Sequence, residues 1–242
     1  RGPGRRGAGE VTLSLEKVRS NLVEVHRRIK AAQARGGRLH QVGVVAATKY
    51  VLPESMGVVR DAGIRMVGEN RAKELQEKWG RFRNDFEFHF IGHVQHRKVG
   101  EVVPCVSLIH SVDSLRLVKA LNERSGEGGI DVLLQVNVSG EESKYGIVPA
   151  EAAAFLEEAL VYERVRFRGL MTMAPLADVA EETRPVFRGL RELRDNLAPR
   201  FAGRYQLSHL SMGMTNDFEV AVEEGATLVR LGSVLFSSGE GG

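Results

Sequence analysis

Apolar residues follow two patterns that alternate along this chain. Val11, Leu15, Val18, Leu22, Val25 and Ile29 recur at helical spacing, and Gly36 and Gly37 end that segment. The run VGVVAA at 42–47 then reads as a strand buried on both faces, because it lacks the polar alternation of a half-exposed strand. It stops at Thr48 and Lys49, and Pro53 opens a helix at a position where its missing N–H costs nothing. Comparable strands are read at 65–68, 86–91, 106–110, 131–138, 165–171, 205–210 and 227–231. Helical patterns lie between them at 70–80, 93–101, 114–125, 149–162, 178–197 and 215–224, with a short helix after Ser233. Strands and helices that alternate without a large insertion predict an α/β fold whose parallel sheet closes as a (β/α)8 TIM barrel.

Length and composition agree with that reading. The chain has 242 residues, 43% apolar and 27% charged, the size and core content of a single barrel. Residues 1–10 read as a disordered or added tail and 11–242 as the one domain. No apolar run is long enough for a membrane span and no secretory leader is visible, so a cytoplasmic protein is expected. The net charge of +3 owes +2 to that tail, where Arg1, Arg5 and Arg6 face only Glu10. A body this close to neutral points to no nucleic-acid partner. The single Cys105, in the apolar stretch VVPCVSLIH, is expected to pack as a small hydrophobe and excludes an internal disulfide.

Polar residues gather where the strands end: Lys49, Glu69–Asn70, His89, Ser111–Asp113, Asn137–Ser139, Ser211 and Arg230. In a barrel those ends share the face on which ligands bind. Lys49 is the sharpest candidate. A lysine closing an apolar strand is either desolvated, which lowers its amine pKa and frees the lone pair to attack a carbonyl, or simply extends into solvent. The loops after the last two strands carry Ser211, Gly213, Gly232 and Ser233, at positions where barrels commonly hold a phosphate. Arg230 is open to three roles: phosphate clamp, ion pair with Glu223 or Glu224, or neighbour of a cofactor ring nitrogen. Beside a pyridine, an arginine would favour the neutral ring. In HFIGHVQH, His93 and His96 stand three apart on an expected helix, with His89 on the strand before it. No acidic or cysteine ligand joins them and Arg97 and Lys98 add positive charge, so no metal is expected. His89 is expected at the rim as a hydrogen-bonding residue, and His209 as a satisfied core histidine. Ser139 to Ser143 could cap the segment that follows, and Lys144 in that loop is the other lysine to consider as an auxiliary amine.

Eight segments together resemble one family. They are VAATKY around Lys49, VGEN at 67–70, HFIGHVQHRK at 89–98, HSVDS at 110–114, QVNVSGEESKYG at 135–146, RGLMTMAP at 168–175, LSMGM at 210–214 and VRLGSVLF at 229–236. In this order they resemble the pyridoxal phosphate homeostasis proteins, single-barrel relatives of alanine racemase. The resemblance implies a fold-type III barrel in which Lys49 holds pyridoxal 5'-phosphate as a Schiff base. It places Ser211, Gly232 and Ser233 around the phosphate and Arg230 by the ring nitrogen, with Asn70, His89 and Met212 lining the pocket. Ser233 stands where the family more often has threonine, Tyr50 where many relatives have a small polar residue, and the end reads LFSSGEGG.

The function so implied is that of a carrier or reservoir of pyridoxal phosphate without established catalysis, whose partners include apo forms of enzymes that use the cofactor. An amino-acid racemase is the alternative. It needs acid/base groups on both faces of the substrate carbon, one of them supplied in the racemases by a second domain for which no length is left here. Without that dimer-forming domain a monomer is expected. A cofactor-free Schiff-base aldolase would explain Lys49 and the phosphate loops, though not the eight segments.

Overall fold

The computed structural model describes residues 13–141 and 145–237. The tail at 1–10, Ser143 and Lys144 lie outside the described residues. The eight strands are β1 (Gly43–Ala47), β2 (Met66–Glu69), β3 (Glu87–Phe90), β4 (Leu108–Val112), β5 (Ile130–Gln135), β6 (Val165–Met171), β7 (His209–Ser211) and β8 (Leu228–Leu231). Each pairs with the next in parallel, and β8 returns to β1 through Val45 opposite Arg230 and Ala46 opposite Leu231. The barrel is therefore closed, as the sequence pattern predicts, and no strand of it keeps an unpaired edge.

Helices cover the outside: α1 (Leu15–Gly36), α2 (Met56–Asp61), α3 (Ala72–Phe82), α4 (Val99–Val102), α5 (Leu115–Arg124), α6 (Ala152–Ala159), α7 (Arg184–Phe201), α8 (Phe218–Glu223) and α9 (Ser233–Phe236). The first begins at Ser14, whose hydroxyl accepts the Lys17 N–H at 3.4 Å, and ends at Gly37 in the left-handed region. It buries Val18, Val25, Ile29 and Ala32 on one face. A Cβ on Gly36 would come within 2.6 Å of the Glu223 carbonyl oxygen, so a glycine is needed where α1 crosses α8. Around that crossing Glu223 pairs with Arg35 at 2.6 Å and Arg184 at 2.5 Å, and Glu224 with Arg184, Arg188 and Arg191 at 3.1–3.3 Å. The same pairs rule out the ion-pair role considered for Arg230.

Three local expectations are corrected. The helix expected at 93–101 is a short 3-10 turn at His96–Lys98 followed by α4, so His93 is on no helix and does not share a helical face with His96. Its ring stacks instead on Tyr145 at 4.6 Å between centroids. Only the end of the 205–210 run is β7; Tyr205 and Leu207 are buried ahead of it. The helix expected from Thr215 starts at Phe218, because Asp217 holds the preceding turn by accepting the Met214 N–H at 2.6 Å. Cys105 is buried and unpaired, and burial pushes its thiol pKa up, as befits an inert core residue.

Two apolar regions result. The larger lies between strands and helices; the smaller fills the lumen with Val45, Leu108, Leu133, Met171 and Leu228. The register of β5 against β6 shifts between Val132–Phe167 and Leu133–Gly169, so Arg168 is an extra residue in β6. Both Arg166 and Arg168 reach Asp131, at 2.5 and 2.8 Å. The backbone is so close after the bulge that a Cβ on Gly169 would lie 1.9 Å from the His209 carbonyl oxygen. Gly169→Ala is expected to lose at least about 2 kcal/mol in urea unfolding. Gly57→Ala, where a Cβ meets nothing within 4 Å, is expected to be neutral or to gain up to about 1 kcal/mol.

Candidate functional site

A cavity of about 880 Å³ opens at the C-terminal ends of the strands, between β1 and β6–β8. Its walls are Ala47 and Lys49–Leu52 after β1, Pro175–Ala177 after β6, Met214–Asp217 after β7, and Arg230, Gly232 and Ser233 around the end of β8. This is the face on which barrels of this kind build their sites.

Lys49 stands on a buried charged foundation. Lys78 of α3 donates from Nζ to the Thr48 carbonyl at 2.7 Å and to Glu69 Oε1 at 2.6 Å. The Thr48 hydroxyl donates to the same carboxylate oxygen. The Lys78 and Glu69 side chains are 2% and 0% exposed, so each ion depends on the other for the solvation it has lost. The carbonyl that Lys78 holds belongs to the peptide linking Thr48 to Lys49 and the hydroxyl that Glu69 accepts from is that of Thr48, so the pair fixes the backbone from which Lys49 projects. Lys49 itself is exposed, with Nζ 4.7 Å from the centroid of the Tyr50 ring. Of its two readings the structure has the lysine that extends into solvent and not the desolvated one: β1 ends at Ala47, Thr48 is enclosed, and the chain turns outward at 49–50.

Arg230 forms the floor. It is buried, donating from Nη1 to Ser211 Oγ at 2.6 Å and from Nη2 to the Thr172 carbonyl at 2.9 Å. Burial pushes its pKa down to about 10, which still leaves it protonated at neutral pH. Among the described residues it has no ion-pair partner within 4 Å. The carboxyl acting on it through space is Asp217, whose own pKa burial raises. A desolvated cation facing a cavity favours an electron-rich occupant. Above it, the Ser233 hydroxyl lies 3.3 Å from that of Thr215, joining the last two loops. Gly213 has φ +93°, and a Cβ there would sit 2.6 Å from the Ala221 Cβ, so glycine lets the first of these loops fold tightly against α8.

Of the residues singled out in the sequence, Lys49, Arg230, Gly232 and Ser233 line this cavity, whereas Asn70, His89, Ser211 and Met212 do not. Both Ser211 and Met212 are wholly buried, Ser211 against Arg230 and Met212 in the larger apolar region between strands and helices. Asn70 is half-buried at the end of β2, its Oδ1 enclosed and without a hydrogen-bond partner among the described residues. His89 is not at the rim. It lies inside the barrel, bonded to His110 at 3.0 Å and to Glu87 at 3.1 Å, because β3 turns alternate side chains inward below its end. His209 is half-buried rather than a core residue, with Nδ1 3.3 Å from Thr227 Oγ1. Ser139 bonds to Asn137 Oδ1 at 3.1 Å. No metal-binding group of three ligands occurs among the described residues.

Sequence reading missed Lys78, His110, Thr215, Asn216 and Asp217. Two carried a usable signal. Lys78 shares the spacing of Ala72 and Leu75, the buried stripe of α3, and a lysine on such a stripe needs a partner. His110 follows the apolar pair Leu108–Ile109 within a short strand-like run, where a histidine needs a partner.

Residues 14–239 match the family described as alanine racemase, N-terminal domain. The pyridoxal phosphate homeostasis protein of Aquifex aeolicus is 42% identical over 89% of this chain and 95% of its own. That of Escherichia coli is 33% identical over 93% of this chain and 97% of its own. Among solved structures, PipY of Synechococcus elongatus with pyridoxal phosphate bound aligns at a TM-score of 0.79 and 31% identity, covering 91% of this chain and 100% of that one. An alanine racemase from Clostridium difficile, at 16% identity and a TM-score of 0.68 over 92% of this chain and 56% of that one, shares the fold.

Lys78→Met strips Glu69 of its cation and is expected to cost roughly 3–5 kcal/mol in urea unfolding. Adding Glu69→Met is expected to return a large part of that loss, since the buried charge goes with it.

Proposed function

The chain belongs to the family of pyridoxal phosphate homeostasis proteins, built on the alanine racemase N-terminal domain, and on that premise we propose that it binds pyridoxal 5'-phosphate and serves as a carrier or reservoir of it in the cytoplasm, without turnover of its own. The observation that carries the reading is the convergence of Lys49, Arg230 and the Gly232–Ser233 loop on one cavity.

Each of these residues has a matching task. Lys49, exposed in the cavity wall, can reach an aldehyde and form a Schiff base with loss of water. The bound cofactor would supply that aldehyde and, in related chemistry, an electron sink. Arg230 offers an N–H to a ring nitrogen and cannot readily take a proton from it, which keeps the ring neutral. Gly232 leaves the backbone open beside Ser233 and Thr215, whose hydroxyls suit a phosphate. Ser211 would act through Arg230, Met212 through the packing of the loop it opens, and Asn70 Oδ1 provides an enclosed acceptor at the end of β2. Among the described residues no helix is long and apolar enough to cross a membrane.

Purified protein incubated with pyridoxal phosphate is expected to gain a visible absorption band that borohydride bleaches, leaving the cofactor's added mass on the Lys49 peptide. Lys49→Ala is expected to lose both signals, and a wild-type protein that stays colourless would overturn the reading. Transfer to an apo-enzyme tests the carrier role. In the same preparations no Lys49-dependent racemisation of alanine is expected; robust turnover would make the chain a racemase instead.

A further inference from the structure

Beneath the cavity floor a single file of hydrogen bonds runs through the barrel to its opposite mouth. Arg230 Nη1 donates to Ser211 Oγ at 2.6 Å, and that oxygen lies 2.8 Å from His110 Nδ1. His110 Nε2 is 3.0 Å from His89 Nδ1, and His89 Nε2 is 3.1 Å from Glu87 Oε1. The participants sit on β8, β7, β4 and β3. Since β4 and β7 are not neighbours in the sheet, the contact between them crosses the lumen. Arg230, Ser211, His110 and His89 are buried, whereas the Glu87 side chain is 53% exposed and also accepts from the Ser107 hydroxyl at 3.0 Å.

The far end dictates the direction of every bond in the file. An ionised carboxylate only accepts, so His89 must carry its proton on Nε2. When His89 is neutral, its Nδ1 is then an acceptor and requires an Nε2–H on His110. His110, which burial holds neutral, is left with an acceptor at Nδ1. Ser211 fills it by donating its only proton, and its lone pairs are free for Arg230. All donors therefore point away from the cavity.

We propose that Glu87, His89 and His110 are positioning residues for Arg230: the carboxylate at the distal mouth fixes both imidazoles as Nε2–H tautomers and thereby holds Ser211 as a pure acceptor for the guanidinium. Ser211 then has no proton to turn toward an occupant, and the floor of the cavity presents N–H groups of Arg230 alone. If the occupant is pyridoxal phosphate, a step that rests on the function proposed above, the file works against protonation of the ring from below.

Imidazole tautomers are read directly by long-range ¹H–¹⁵N correlation on ¹⁵N-labelled full-length protein at pH 8, with His89→Gln and His110→Gln spectra used for assignment. Wild-type His89 and His110 are both expected as Nε2–H. Glu87→Leu, at a half-exposed site where folding is not at stake, is expected to mix or invert the two tautomers and to weaken pyridoxal phosphate binding roughly fivefold, about the worth of one hydrogen bond. An Nδ1–H on wild-type His110, tautomers unmoved in Glu87→Leu, or tautomers that change without any effect on measured binding would each overturn the proposal. Should the wild type bind no pyridoxal phosphate, the function proposed above fails, and the tautomers alone decide whether the file is oriented by Glu87.

Discussion

The seam between β1 and β8 is the contact on which the site depends. Parallel pairing of Val45 with Arg230 and of Ala46 with Leu231 closes the barrel. The same register brings the turn that carries Lys49 beside the loop that carries Gly232 and Ser233. Neither half of the cavity has a use without the other, and nothing local in the chain joins them. Their alignment follows from the closure of eight strands, so any change that shifts the register at the seam alters the distance between the amine and the guanidinium.

Around this seam the molecule places charge at unequal depths. Lys49 is exposed while Lys78, directly beneath its backbone, is enclosed with Glu69. Arg230 is buried with neutral partners while Glu223 and Glu224 gather arginines at the α1–α7–α8 contact. The two kinds of cation have different tasks. Paired ions hold backbone and helices in place, and an unpaired buried one keeps its field for whatever enters the cavity.

Much of this architecture was legible in the sequence because apolar runs of four to seven residues, bounded by turns, have few readings other than strands in a parallel sheet. The positions of Lys49, Arg230, Gly232 and Ser233 at the rim followed from strand ends alone. What the pattern could not provide is the inward or outward sense of each side chain. In a strand buried on both faces the alternation that would reveal it is erased, so neither the inward position of His89 nor the exposure of Lys49 can be read from it. The bulge at Arg168 compounds the problem by reversing the parity of β6 midway. The His93 error has another origin: the helical pattern read over 93–101 begins only with the 3-10 turn at His96, and residues 91–95 before it are irregular.

The first helix has a consequence for how the protein is made. Its stripe of Val18, Val25 and Ile29 faces α8 and α9, and Asn21 donates to the Leu235 carbonyl at 3.0 Å. Those partners are among the last parts of the barrel to leave the ribosome. At typical synthesis rates the stripe therefore waits on the order of ten seconds or more without the surface it will cover. Until then the nascent chain carries an uncovered apolar face next to an unclosed sheet, so the helix made first is among the last to find its place.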